Sequence, residues 1–475
     1  MPDSYDTLDF DFVIVGSGAG GGFAALNLAQ TGKKVLVIER GPDPYKPRPD
    51  NSGRPFKHVI DQTKYHHNGS RKHLFMGYGT GGSTSIYGAV LVRPKREDFE
   101  PGRHLSNYLD PDDHQWPVSY DEMEPYFSRV ENHFNMHPFK EGAFGNDGEL
   151  ATINRHLADR WTQTGYHPGI LPLAIDRKTC TSCPDCPGYV CPTEARGSTR
   201  KALVEAHETL DNLTIWNNTE VLSIDRQEPK LTFQKHDTDE NGELSAGTVI
   251  LSAGAINSAR ILMKSGFGED YPMLGKCFMY HAGAVGFGLF PRPTGGGSRF
   301  IKQLGLNDFY FGTPEFPHKM GVFQSLPTPR AATKPVRNHL YLMMATVEDL
   351  PQVSNGLTLQ KDGSVKIRHQ FHEYDIHRSK YAGKILKQLM SAGGAIRTIS
   401  ATAQMNKTHV GHQVGTVRFG KSPRTSVLDS LCRPHGMDHL YVLDGGFMPT
   451  SMGASPALTI MANALRVTDH IITQA

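Results

Sequence analysis

Short apolar runs that end in glycine or other small residues recur at wide intervals along this chain. Residues 13–15 are a β-branched run that leads into a glycine-rich turn, and residues 34–39 form a second run. Two more follow at residues 248–255 and 440–446. Continuous runs of this kind are typical of parallel strands covered on both faces. The pattern predicts an α/β domain whose strands come from separated segments.

The stretch of residues 282–405 has a different pattern, in which apolar and polar positions alternate. The alternation at residues 339–344, and in a hairpin at residues 357–367 that turns at an Asp-Gly pair, predicts an antiparallel sheet. Residues 379–390 have the spacing of a helix. This part of the chain is therefore predicted to be an inserted α+β domain.

Two other stretches connect these parts. Apolar residues recur at three- and four-residue steps from residue 115 to residue 134, which predicts an amphipathic helix. Residues 41–72 are rich in Pro, Asp, Arg and His, which predicts a surface excursion without regular structure.

Composition narrows the class of protein. The 475 residues exceed the usual size of a single core, so two joined domains are expected. A net charge of +2 gives no electrostatic case for nucleic acid or a membrane surface, and no apolar run reaches transmembrane length. The acidic first ten residues lack the features of a secretory signal. We expect a cytoplasmic protein, with export bound to a signal-bearing partner as the open alternative.

The first glycine-rich turn carries the strongest motif. Gly16, Gly18 and Gly21 form G-x-G-x-x-G directly after a strand and at the start of a helix, and Glu39 ends the next strand. The glycines allow a tight turn, a close approach to a pyrophosphate and helix–strand packing. An acid at the spacing of Glu39 binds a ribose hydroxyl. The motif predicts a bound dinucleotide.

Three further blocks have unusual sequences. Residues 77–89 are rich in glycine and hydroxyl side chains, which indicates backbone lying against a planar ligand. Residues 90–94 (VLVRP) follow, and then Asp98-Phe99. Near the end, residues 412–418 form H-x-x-G-T-x-R, and residues 451–461 enter the final helix with a proline near its first turn.

With these blocks in this order from end to end, the chain resembles the glucose-methanol-choline (GMC) oxidoreductases. The pieces that carry the resemblance are VIVGSGAGGG, GGSTSIYGAVLVRP with its trailing Asp-Phe, and the two C-terminal blocks. The resemblance implies a Rossmann-like FAD-binding domain and an antiparallel sheet that roofs the substrate pocket. Some members attach FAD through a histidine where this chain has Ile86, so noncovalent FAD is expected.

The motif, the resemblance and two further strand–glycine turns together predict the cofactor contacts. In the family, the glycine–serine block lies along the flavin, and the residue that matches Val221 contacts adenine. The turn after residue 253 directs backbone N–H groups toward a ligand, and Asp444 is expected to meet the ribityl or pyrophosphate region through its backbone or its carboxylate. The predicted contacts are Gly16, Gly18, Gly21, Glu39, Gly82, Ser83, Val221, Ala253, Gly254, Asp444, Gly445 and Pro456.

The resemblance also implies a catalytic histidine at His412. Oxidation of an alcohol by hydride transfer requires the hydroxyl proton to leave, and a neutral imidazole is suited to accept it. His409 is interpreted as structural. Ser455 stands where the family has Asn or His, as partner to the histidine, and it keeps a redox-neutral FAD lyase as an alternative function. The sequence names neither the alcohol or sugar nor the electron acceptor, which is oxygen, a quinone or a haem protein.

Four cysteines cluster at Cys180, Cys183, Cys186 and Cys191. Their spacing superficially matches iron–sulfur ligation, and paired Cys-x2-Cys units also hold structural zinc. Plain thiols or disulfides are favoured over either metal. A cluster here is the basis of a third functional hypothesis, the catalytic subunit of a multi-subunit dehydrogenase.

The expected domain organisation follows from these assignments. Residues 1–105, 195–281 and 406–475 are predicted to form the FAD-binding domain, the last segment with the catalytic histidine. Residues 106–194 form a cysteine-rich segment on the substrate side, and residues 282–405 form the substrate-binding domain.

Overall fold

The structure is a computed structural model that describes residues 9–45, 59–110, 114–142, 150–184, 186–328, 332–403 and 411–474. The strands are β1 (Phe12–Val15), β2 (Val35–Ile38), β3 (Lys64–His67), β4 (Ser70–His73), β5 (Lys140–Glu141), β6 (Gly169–Ile170), β7 (Leu213–Trp216), β8 (Thr219–Ile224), β9 (Lys230–Lys235), β10 (Asn241–Ser245), β11 (Thr248–Leu251), β12 (Ala284–Leu289), β13 (Leu304–Leu306), β14 (Phe323–Leu326), β15 (Leu340–Ala345), β16 (Gly356–Leu359), β17 (Val365–Arg368), β18 (Arg397–Ala401) and β19 (Leu440–Val442). The α-helices are α1 (Ala19–Ala29), α2 (Gly102–Leu105), α3 (Tyr120–His133), α4 (Thr152–Gln163), α5 (Thr199–His207), α6 (Ala255–Lys264), α7 (Lys334–Arg337), α8 (Glu373–Ala392) and α9 (Ala457–Gln474).

A five-stranded parallel sheet forms the nucleotide-binding half. Its order is β19-β11-β1-β2-β7, and every neighbouring pair is parallel. All residues of β1, β2 and β19 are buried, as their continuous apolar runs predicted. Helix α1 packs against α9 from the far end of the chain. The prediction of an α/β domain with strands from separated segments is confirmed.

A seven-stranded antiparallel sheet forms the substrate-side half. Its order is β18-β12-β15-β14-β13-β6-β5, and helix α8 packs against β12, β15 and β18. Large side chains such as Trp161, Phe323 and Tyr341 fill a core that is separate from that of the parallel sheet. The predicted α+β architecture is confirmed, while the domain boundaries stay a prediction.

The hairpin of residues 357–367 is the clearest difference from the sequence-based expectation. Strands β16 and β17 pair as predicted, but they join β3 and β4 in a separate four-stranded sheet. Strands β3 and β4 lie in the stretch that was expected to be an irregular surface excursion. Their residues are mostly charged or histidine, so no apolar alternation marks them as strands.

The predicted helix of residues 115–134 begins later than expected, at Tyr120. The Oγ of Ser119 accepts from the backbone N–H of Glu122 at 3.2 Å, and the Glu122 carboxylate accepts from the Ser119 N–H at 2.8 Å. This reciprocal capping box fixes the start of the helix. Within the described helices, none combines the length and the apolar character that a membrane crossing requires.

A buried cluster of charges joins the two halves. The Lys319 ammonium, on the substrate side, contacts the carboxylate of Asp98 and lies 2.8 Å from Glu348. All three side chains are at most 1% exposed. Burial lowers the pKa of Lys319, but the two carboxylates outweigh this effect, and its pKa is raised. The amine of Lys319 is therefore held in its charged form.

Replacement of Lys319 by Met tests this cluster. The change leaves two carboxylates buried without their cation, so we expect the free energy of unfolding to fall by about 3–5 kcal/mol. Urea unfolding followed by tryptophan fluorescence measures this loss. Lys387→Met, at an exposed position of α8, is the control and should change little. Equal stability of the two variants would show that the cluster does not hold the halves together.

Candidate active site

A deep cavity lies at the carboxyl ends of the parallel strands. The residues that follow β1, β2, β11 and β19 form its wall, and the seven-stranded sheet lies across from them. In open α/β sheets, ligands bind outside the carboxyl ends of the strands. The cavity thus occupies the place where the fold positions a nucleotide.

Almost all of the residues predicted to contact the cofactor line this one cavity. The lining includes Gly16, Gly18, Glu39, Gly82, Ser83, Val221, Ala253, Gly254, Asp444, Gly445 and Pro456. The exception is Gly21, where an added Cβ would lie 2.0 Å from the carbonyl oxygen of Gly16. Gly21 therefore allows α1 to pack against the turn and does not line the cavity itself.

The shape of two turns tests whether a nucleotide fits. Gly18 and Gly254 are the N-caps of α1 and α6, and in the described structure neither helix has a side-chain cap. A Cβ at either glycine would meet no atom within 4 Å, although both residues line the cavity. Uncapped N–H groups that face open space suit a phosphate. These turns fit a dinucleotide such as FAD.

Ser17 orients the acid that follows β2. The Oγ and the backbone N–H of Ser17 donate to Oε2 of Glu39 at 2.6 and 3.2 Å, and the N–H of Gly41 donates to Oε1 at 3.0 Å. A carboxylate that accepts several hydrogen bonds is held in one orientation. Ser17 lies inside the glycine motif, but the motif itself does not specify this role.

Asp444 connects the turns after β11 and β19. One carboxylate oxygen accepts from the N–H of Gly254 at 2.9 Å and from the Ser258 hydroxyl, and the other accepts from the N–H of Gly446 at 2.8 Å. Burial raises the pKa of this carboxyl group. Its side chain therefore holds two backbone turns of the cavity wall in place.

His412 also lines the cavity, and a second histidine lies beside it. The Nδ1 atoms of His412 and His281 are 2.9 Å apart. Met279 and Val414 exchange two backbone hydrogen bonds of 3.0 Å, as an antiparallel pair does. Because the pair is antiparallel, His281, two residues after Met279, lies opposite His412, two residues before Val414. The contact is thus fixed by the backbone.

The hydrogen bonds of His281 determine the proton positions in this pair. Its Nε2 lies 3.0 Å from the carbonyl oxygen of Met452, which can only accept, so Nε2 carries the proton. Burial lowers the pKa of His281 to about 4, so the ring is neutral and its Nδ1 accepts. His412 therefore donates from Nδ1, so a neutral His412 ring has its basic lone pair on Nε2.

Sequence reasoning missed His281, because no motif surrounds it and only the pairing of Met279 with Val414 reveals its position. Ser455 lines the same cavity as His412. His409 belongs to residues 404–410, outside the described residues.

The four clustered cysteines do not line this cavity and are partly buried. None of them forms a disulfide. Across the described residues, no group of three or more His, Cys, Asp or Glu side chains is arranged to hold a metal ion.

Comparison with known proteins identifies the fold and the cofactor. Residues 10–283 match the N-terminal family model of the GMC oxidoreductases, and residues 351–464 match the C-terminal one. The chain belongs to the GMC oxidoreductase family. As a GMC oxidoreductase it is an FAD-dependent enzyme that acts on CH–OH groups, and the resemblance found in the sequence is confirmed.

Individual relatives match this GMC oxidoreductase over nearly its whole length. Paromamine 6'-oxidase of Streptomyces fradiae is 27% identical, with 98% of this chain and 92% of the relative covered. 2-Methyl-1,2-propanediol dehydrogenase of Mycolicibacterium austroafricanum is 24% identical, with 97% and 95% covered. Among solved structures, pyridoxine 4-oxidase from Mesorbium loti superposes with a TM-score of 0.73 at 18% identity, covering 98% and 99% of the two chains.

Gly18→Ala tests the proposed phosphate site. The added methyl group meets no protein atom, so the protein should fold as the parent does. It would occupy space next to the α1 N-terminus, and we expect FAD affinity to fall by roughly 10- to 100-fold, the cost of about 1–3 kcal/mol for overpacking. Titration of apoprotein with FAD measures the change. Gly268→Ala also points into open space, but outside this cavity, and is the matched control. Equal FAD affinity in the two variants would contradict the assignment.

Proposed function

We propose that this enzyme oxidises a hydroxyl group of a small alcohol or sugar with His412 as the base and FAD held noncovalently. FAD, when bound, supplies the acceptor for the substrate hydride. The observation that carries the proposal is the position of His412, which lines the same cavity as the glycine turns and has a hydrogen-bond acceptor, His281, at its Nδ1.

The proton chemistry follows from the tautomer of the histidine pair. His412 donates from Nδ1 to His281, so Nε2 is the nitrogen that can take the hydroxyl proton. After proton transfer, the imidazolium keeps its hydrogen bond to the neutral His281. A charged imidazolium donates a stronger hydrogen bond than a neutral imidazole does, so the bond to His281 favours proton transfer to His412. His281 thus acts as a positioning residue.

Two observations favour oxidation over the redox-neutral alternative. The relatives that match nearly the whole chain are named as an oxidase and a dehydrogenase. His281 also provides His412 with a hydrogen-bonding partner, although the family's usual Asn or His is replaced by Ser455.

The buried, apolar Ile86 has no nucleophilic atom for attachment to flavin, which supports noncovalent FAD.

His412→Ala tests the base. We expect the variant to keep FAD and to reduce it roughly 10²- to 10⁴-fold more slowly with a verified alcohol, the usual contribution of a positioned proton acceptor. Anaerobic stopped-flow mixing with a panel of alcohols, sugars and glycosides measures flavin bleaching. Ser455→Ala removes at most a neutral hydrogen bond, of about 0.5–1.5 kcal/mol, so a loss of about tenfold or less is expected.

The result that excludes this mechanism is a His412→Ala protein that binds FAD and reduces it at nearly the parent rate. Substrate turnover without any flavin bleaching in the parent enzyme would favour the lyase.

Acid precipitation of the parent enzyme should release the flavin into solution, since Ile86 cannot attach it.

His281→Leu tests the positioning role. Loss of the acceptor should slow flavin reduction by up to about tenfold, as expected for one hydrogen bond of about 0.5–1.5 kcal/mol. The same loss destabilises the imidazolium, so the pKa of the base falls and the acidic limb of the pH–rate profile moves to lower pH. His281→Asn places an acceptor, Oδ1, near the position of the His281 Nδ1, so the acidic limb should return to the pH at which it lies in the parent enzyme. A slower variant whose limb does not move would indicate a structural role only.

A further inference from the structure

Two polar side chains on the substrate side of the cavity have no role in the mechanism above. The seven-stranded sheet contributes Gln324 and Met344 to the cavity wall, and Lys302 lies just before β13 of the same sheet. Lys302 is 7% exposed, and its Nζ lies close to Gly88 of the glycine-rich block, where an added Cβ would be 2.3 Å away. A buried ammonium therefore lies between the glycine-rich block and the substrate-side sheet.

This ammonium has no carboxylate beside it among the described residues. The ionisable groups that shift its pKa are Cys186 and Arg196, and burial, the largest effect, lowers the pKa of Lys302 to about 8. The guanidinium of Arg196 donates to the carbonyl oxygens of Ser85 and Tyr189 at 2.6 Å each, to the carbonyl oxygen of Cys186 and, at 3.3 Å, to the Cys186 sulfur, and the described residues place no carboxylate against it. Lys302 thus adds a positive charge to the cavity wall, and Arg196 places a second one near it. Buried charges in proteins are normally paired.

Gln324 adds an unused acceptor to the same wall. Its Nε2 donates to the hydroxyl of Thr346 at 3.3 Å, whereas its Oε1 is buried and has no hydrogen-bond partner among the described residues. A buried acceptor without a donor destabilises the unliganded protein. A substrate hydroxyl can supply the missing donor.

We propose that the alcohol oxidised by this enzyme also carries a carboxylate group, which binds the Lys302 ammonium, while Gln324 accepts a hydrogen bond from a further hydroxyl group. The substrate class is hydroxy acids and sugar acids. This proposal rests on the proposed function, in which the substrate CH–OH loses a hydride to FAD and a proton to His412 and becomes a carbonyl. The carboxylate takes no part in that step. A cationic amino sugar is disfavoured by the same two charges.

Matched substrate pairs test this specificity. We would measure kcat/KM of the holoenzyme for glycolate against ethylene glycol and for D-gluconate against D-glucitol, with D-glucosamine as the cation. The acid of each pair should be preferred by at least about tenfold, as charge-assisted recognition provides. In Lys302→Met, the acid-to-neutral ratio should fall by roughly 10- to 100-fold. Lys302→Arg should keep part of the preference for the acid over the neutral substrate. Lys387→Met, which removes an exposed charge, should keep the full preference of the parent enzyme.

A binding measurement separates this proposal from the proposed function. Acetate cannot be oxidised here, and its dissociation constant can be followed through the visible spectrum of bound FAD. If acetate binds more weakly to Lys302→Met than to the parent, the anion site is supported. If, in addition, no substrate bleaches the flavin of the parent enzyme, the proposed oxidation is overturned. If neutral alcohols bleach the flavin, and Lys302→Met changes neither the acid-to-neutral ratio nor acetate binding, the anion site alone is overturned.

Discussion

The contact between Lys319 and two carboxylates is the interaction on which the arrangement of the active site depends. Asp98 follows the glycine-rich block of the nucleotide half, and Glu348 follows β15 of the substrate half. Asp98 also accepts from the N–H of Gly453 at 3.2 Å, and Glu348 accepts from the N–H of Met452 at 3.0 Å. One buried cation therefore fixes both halves and the turn between them.

That turn is directly connected to the chemistry. The carbonyl oxygen of Met452 accepts from His281, and His281 in turn accepts from His412. A continuous series of hydrogen bonds therefore runs from the Glu348 carboxylate through the backbone of Met452 and the ring of His281 to the imidazole of His412. Because Met452 has a φ of +57°, a conformation that side chains other than glycine rarely adopt, its turn needs contacts of this kind to hold it.

The sequence predicted those parts of the protein whose physical cause is local. The apolar runs of β1 and β19 and the glycine turn at Gly16, whose φ is +96°, follow from a few consecutive residues. His281, Lys302 and the sheet that β3 shares with β17 could not be predicted in this way. Their positions depend on contacts between segments far apart in the chain, and a single side chain outside any motif carries no periodic signal.

The order of strands in the parallel sheet also has a consequence for biosynthesis. Strand β1 pairs with β11, and β11 pairs with β19, which lies beyond residue 439. A nascent chain therefore exposes one apolar edge of the sheet until β19 has left the ribosome. Long-range pairings of this kind form slowly, and exposed strand edges promote aggregation. We therefore expect chaperone protection during synthesis and cofactor capture only after β19 has joined the sheet.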